Sequence, residues 1–363
     1  MNKFKKIGLT ALATSLVASS ASAADVSISG SAGYTFKTYN GNTSGANDHG
    51  KGIGVVNALG FSASGEMDNG WTVSAGTALD SGFALSTSNV TLGMGDLGSI
   101  MLGSGTGGHG AAYDGNMPVA YEEVDDGGST SLSNNNISST VDNGTIHYTA
   151  PALSAGGASV QVHLGYSPRA EDTYHQGGGS SGISDWGSAT NVGLTITHDS
   201  GLTLGAYAGE ADREGAAAGT SDMFEGTWYA KYAMGPVSVG YQTSYLDAGA
   251  SSSEVSAAAP ATLRTSSGIF ETEQYSIAFN VNDDLSVSYA KADDTYDAQA
   301  GSTASSVTGD NVADVTMSMK SIQMAYSMGS MSIKAYRQKT DNANYDTTGG
   351  SQTASEISLS LAF

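Results

Sequence analysis

The chain has no cysteine, so it has no disulfide framework, no thiolate metal site and no cysteine nucleophile. It has only 5 prolines in 363 residues. Charged residues make up 13%, about half the usual share of a soluble domain. The scarcity is one-sided, with 14 basic residues against 35 acidic ones. Nucleic acid is therefore excluded as a partner, because its phosphates would be repelled. Beyond the first residues, no segment approaches the ~20 consecutive apolar residues of a membrane helix. Yet mean hydropathy is only -0.16, and glycine counts 49. That balance suits neither a helical membrane protein nor a helical enzyme.

The amino terminus is different. Lys3, Lys5 and Lys6 precede an apolar stretch over 7–17, and Ala21-Ser22-Ala23 offers small residues for cleavage. This is the pattern of a secretory signal, so residues 1–23 are expected to be removed. The mature chain, 24–363, then keeps 14 − 3 = 11 basic residues and a net charge of 11 − 35 = −24.

What fills the mature chain is alternation. In "VSISGSAGYTF", Val26, Ile28, Ala32, Tyr34 and Phe36 share one face. Ile53, Val55, Leu59, Phe61 and Ala63 do so in the next segment, then Trp71, Val73, Ala75 and Leu79. Ser, Thr, Gly and Asn take the opposite positions. A period of two marks strands between two unlike environments.

About sixteen such strands are predicted, centred near Ile28, Leu59, Val73, Leu92, Ile100, Ile146, Val162, Leu194, Leu204, Trp228, Val239, Ile277, Val287, Met324, Ile333 and Leu359. Tight turns at 67–70, 95–98, 198–201, 234–236, 282–284 and 328–330, with a slightly longer link at 151–157, alternate with connections of roughly 10 to 40 residues. Seven short links on one end and eight long ones on the other follow. In lipid, backbone N–H and C=O groups must all be paired, so such a sheet has to close. The reading is all-β: a 16-stranded antiparallel transmembrane β-barrel with short periplasmic turns and long extracellular loops. At that size the lumen is too wide for side chains to fill. Tyr34, Phe36, Trp71, Tyr166, Tyr232, Tyr241 and Phe279 sit near strand ends, where aromatic residues meet the membrane interfaces. A soluble sandwich also alternates, but it does not explain short and long links taking turns.

The leader, "ADVSISGSAGYTF", "GDLGSIMLGS", "IHYTAP" and the terminal "ISLSLAF" together resemble the general diffusion porins of Gram-negative bacteria, most nearly the alphaproteobacterial, Rhodobacter-like type. The resemblance implies a homotrimer of barrels in the outer membrane, each a passive channel for small hydrophilic solutes and ions. It implies that the third long loop, from Gly105 to about Ser139, folds inward. It also implies that a terminal aromatic, here Phe363, is read by the barrel-assembly machinery.

That loop carries Asp114, Glu122, Glu123, Asp125 and Asp126 and no Lys or Arg. Carboxylates in a narrow passage concentrate cations, so cation preference is expected. By alternation Lys37, Lys231 and Lys334 face the lumen. No strand carries the run of arginines that enteric members set opposite the loop acids. The short, glycine-rich hairpin 89–104 is expected to face a neighbouring subunit.

No catalytic residue and no metal site is expected. No Gly-x-Ser-x-Gly strand-to-helix elbow appears, and Ser and Asp are too common to point anywhere. His147 and His163 lie on neighbouring strands but show no third ligand. No cofactor is expected either; the acidic runs at 121–129, 246–249 and 292–297 offer at most weak calcium binding, without matching a calcium-loop pattern. Two other functions fit the same strands. One is a substrate-specific channel. The other is a structural or adhesive barrel whose loops bind a partner.

Overall fold

A computed structural model describes residues 25–43, 46–47, 50–82, 84–104, 108–124, 144–170, 186–213, 221–247, 249, 268–297, 314–345 and 351–363. The leader expected at 1–23 lies outside them. So do Asp125 and Asp126.

The strands are β1 (Asp25–Asn40), β2 (Gly50–Glu66), β3 (Thr72–Leu79), β4 (Leu85–Gly93) and β5 (Ser99–Ser104). Next come β6 (Thr145–Thr149 continued by Leu153–Ala155), β7 (Ala158–Ser167), β8 (Trp186–His198), β9 (Leu202–Arg213) and β10 (Met223–Met234). The last are β11 (Val237–Asp247), β12 (Ile269–Asn280), β13 (Leu285–Asp297), β14 (Val315–Met328), β15 (Met331–Asp341) and β16 (Ser351–Ala362). Each pairs antiparallel with the next, and β1 pairs with both β2 and β16. The sheet is therefore a closed 16-stranded barrel. All sixteen predicted centres fall inside strands.

The distribution of polarity is the reverse of a water-soluble protein. Ile53, Ile322 and Leu153 are 76%, 66% and 74% exposed. Gln242, Gln274, Gln323, Gln338 and Gln352 are buried. Exposed apolar side chains ring the whole outer surface; Phe36, Ile53, Ile357, Met324, Val287 and Phe279 lie in one continuous register. Soluble monomers rarely expose apolar patches beyond a few hundred Å². Lipid outside and polar groups inside remove that conflict.

Two connections differ from expectation. The link between β3 and β4 is only residues 80–84, not ten or more. Asp80 closes it, its Oδ1 accepting from Gly82 N at 2.8 Å and Ala84 N at 3.1 Å. The stretch 151–157 is not one long link. It is a two-residue turn, Gly156-Gly157, preceded by a break in β6. Both glycines have positive φ, 60° and 81°, as a tight hairpin turn requires. Pro151 causes the break, since it has no N–H for the ladder. In the hairpin 89–104, Gly93 pairs with Thr72 on the lumen side; Val90, Ile100 and Leu102 form the outer face.

Candidate functional site

The described part of the third loop, 108–124, packs against the inner wall from β6 to β16. His109 enters first. Its ring centroid lies 4.7 Å from His147 on β6 and 4.7 Å from His163 on β7. Tyr113 follows, stacked on Tyr207 of β9 at 5.4 Å, with its hydroxyl 3.0 Å from Thr195 Oγ1 of β8. A Cβ at Gly193 would lie 2.5 Å from the Tyr113 ring, so β8 needs glycine there to seat it.

Gln242 of β11 clamps the next turn from both ends. Its Nε2 donates to Tyr113 O at 2.8 Å, and its Oε1 accepts from Asn116 N at 2.8 Å. Lys231 of β10 donates to Asn116 Oδ1 at 3.1 Å. Gly240 leaves room for Pro118, whose Cδ would be 2.5 Å from a Cβ there. Farther along, Ala120 N donates to Ser288 Oγ of β13 at 2.8 Å. Gln323 of β14 repeats the clamp, accepting from Tyr121 N at 2.8 Å and donating to Glu122 O at 2.5 Å. Tyr121 donates to Glu356 Oε1 of β16 at 2.6 Å. Val124 ends the run in an apolar cluster with Leu246, Phe270, Tyr296, Met317 and Met319.

The three wall lysines point inward, as alternation predicts. Lys37 Nζ lies 3.7 Å from Glu356 Oε2. Lys231 holds the loop, and Lys334 lies 5.2 Å from the Tyr121 ring centre. Among the loop acids, Asp114 accepts from Gly115 N at 3.0 Å. Glu123 lies against Gly115, so the loop is folded on itself there. Asp114, Glu122 and Glu123 are all half-buried. Burial and the Glu356 carboxylate raise the Tyr121 hydroxyl above its usual range, so it remains a donor to Glu356.

The acidic run 292–297 is strand, not loop. Asp293 bonds Lys291 and Ser318 on the outer face, while Asp294 is buried inside with Tyr345 and Thr272. Alternation sends neighbouring carboxylates to opposite sides, so they cannot share an ion. Among the described residues, no group of three His, Asp or Glu side chains could hold a metal ion.

Sequence reasoning found His147 and His163 but missed His109, which reaches them from 38 residues upstream of His147. Burial and the two neighbouring imidazoles lower its pKa to about 4. Its ordinary value is about 6.5, so docking favours the neutral ring. That contribution is complete above pH 6.5 and is lost as pH falls through 4. Amide exchange of residues 108–116 is expected to accelerate across that window. His109→Gln should flatten the dependence; a wild-type loop equally protected at pH 7 and pH 4 would contradict it.

Past the loop, the wall changes. On β2 and β3 both faces are open: inward Gly54, Val56, Ala58 and Ser74 are exposed, while inward residues of β11–β16 are mostly covered. A lumen remains beside β2 and β3.

A Gram-negative porin family model matches residues 8–308. The chain belongs to that family. It is an outer-membrane channel, and its family and fold are those of a channel rather than an enzyme. The match is to the porin family as a whole, without distinguishing its branches. Among solved structures, the anion-selective porin from Comamonas acidovorans is similar at 15% identity and TM-score 0.61, covering 94% of this chain and 100% of that one. OmpF of Salmonella typhi, in complex with daunomycin, gives 10% identity and TM-score 0.64, covering 93% and 97%. OmpT of Vibrio cholerae, in a trimer form, gives 12% and 0.59, covering 94% and 100%. At these identities the structures speak for the fold alone. No curated protein sequence matches.

Proposed function

We propose that this porin passes small hydrophilic solutes and ions down their gradients, with a preference for cations. The observation that carries the reading is the open face of β2 and β3 beside a loop bound to the opposite wall. Gly54, Val56, Ala58 and Ser74, mostly small residues, line that open side, so it offers width and water rather than a binding pocket. Asp114, Glu122, Glu123, Asp125 and Asp126 supply the negative charge of the constriction. Lys37 is offset by Glu356, and Lys231 is engaged by the loop, which leaves less positive charge to attract anions.

The Comamonas porin, similar in fold, is anion-selective, so the fold alone does not set the preference. The test is a reversal potential in a planar bilayer under a tenfold potassium chloride gradient. Wild type should favour potassium. Asp114→Asn/Glu122→Gln/Glu123→Gln should move the potential toward zero by about half or more. A chloride-favouring wild type would overturn the cation preference while leaving passive conduction standing.

The assembly reading is threefold. The leader 1–23 directs export, Phe363 is read by the assembly machinery, and three copies associate through the low wall around β4 and β5. Val90 and Leu102 give that wall an exposed apolar outer face. The trimer form of the Vibrio relative supports the stoichiometry.

A further inference from the structure

The outer surface holds an arrangement that conduction does not use. Lys291 of β13, Lys320 of β14 and Lys339 of β15 are direct cross-strand neighbours: Lys291 pairs with Lys320, and Lys320 with Lys339. Arg337 lies one diagonal step from Lys320 on the same face, opposite Ile322. These are four of only 11 basic residues in the mature chain. Like charges set directly opposite across strands are destabilising. Two are compensated along their own strands, Lys291 by Asp293 and Lys339 by Asp341, the latter at 2.8 Å. Lys320 and Arg337 are both exposed, and Lys320 shares the field of the Asp293 carboxylate with Lys291.

Their height is informative. Lys291 lies six residues from the turn end of β13 at Leu285, and Lys320 eight from that of β14 at Met328. At about 2.5 Å of rise per tilted residue, the row stands roughly 15–20 Å above the turns, in the upper part of an apolar band about 25 Å tall. Below it, Ile322 and Tyr289 are exposed and apolar; above it stand Asp293, Ser318 and Asp341. Long basic side chains at such a border reach up to the headgroup layer.

We infer that Lys320 and Arg337, flanked by Lys291 and Lys339, form a docking site for the phosphate-bearing headgroup of an outer-leaflet lipid. The phosphate sits between cations that otherwise repel, and the acyl chains run down the apolar surface of Ile322 and Tyr289. Asp293 and Asp341 hold the outer two lysines at the margins and direct the anion to the centre.

The experiment is native mass spectrometry of the full barrel in neutral detergent, offered dioleoylphosphatidic acid, dioleoylphosphatidylcholine or inorganic phosphate. Wild type should retain phosphatidic acid over phosphatidylcholine by about tenfold, and Lys320→Ala/Arg337→Ala should remove the preference. Arg337→Gln alone should lose part of it, which keeps the test sound if the double variant folds poorly. Lys51→Ala, elsewhere on the barrel, should retain it in full. Equal retention of both lipids by wild type, or an undiminished preference in the variants, overturns the site. Inorganic phosphate displacing the lipid at equal concentration overturns the assignment to a lipid headgroup.

Discussion

A chain ending at residue 350 is expected to form no barrel. β16 is paired along both edges, with β1 from Asn40↔Thr353 to Ser31↔Ala362 and with β15 from Asp341↔Ser351 to Met331↔Leu361. Without it, β1 and β15 become open edges, and each unpaired backbone group in lipid costs several kcal/mol. No side-chain repacking offsets the loss of ten residue pairs with β1 and eleven with β15. The readout is heat modifiability on a non-denaturing gel after detergent refolding: the full chain shifts mobility and the truncated chain does not. Deleting Phe363 alone is milder. That residue exchanges backbone hydrogen bonds with Gly30, both at 2.9 Å, and its ring lies where a Gly30 side chain would be. Refolding in detergent should survive the deletion, while outer-membrane levels in cells should fall several-fold. Loss of refolding as well would mean that Phe363 acts through closure rather than recognition.

The second large effect concerns the loop. Gln242→Leu/Gln323→Leu is expected to release 108–124 from the wall and to raise single-channel conductance about twofold, with added noise. Each glutamine is buried and binds one backbone N–H and one backbone C=O of the loop. Leucine fills similar space and bonds neither. Each orphaned buried group costs about 1–3 kcal/mol, and four are orphaned. The loop's apolar anchors at Tyr113 and Val124 cannot satisfy those groups. Unchanged conductance and unchanged amide protection over 113–122 would show that the two clamps do not hold the loop.

The barrel was legible because lipid and water impose a strict alternation on every strand. Ile357, Leu359 and Leu361 against Ser358 and Ser360 already state which face is which, and register with β1 confirms it. The inward direction of Lys37, Lys231 and Lys334 followed from the same parity. What parity does not encode is which inward polar residue meets water and which meets the loop. Gln242 and Gln323 read no differently from Gln352. His109 joined His147 and His163 only because the chain doubles back through the lumen. The lysine row was hidden for a similar reason: Lys291, Lys320 and Lys339 become neighbours only once the register across two connections is known. Pro151 was visible, but a break inside a strand and a longer turn look alike in sequence.

The central claim is a water-filled passage between the loop and the β2–β3 wall. Single-channel recording in planar bilayers tests it most directly. The account predicts stepwise, ohmic conductance that rises in proportion to salt concentration and is not saturably blocked by small sugars. A barrel that inserts without conducting, or one whose current saturates with a single solute, would contradict it.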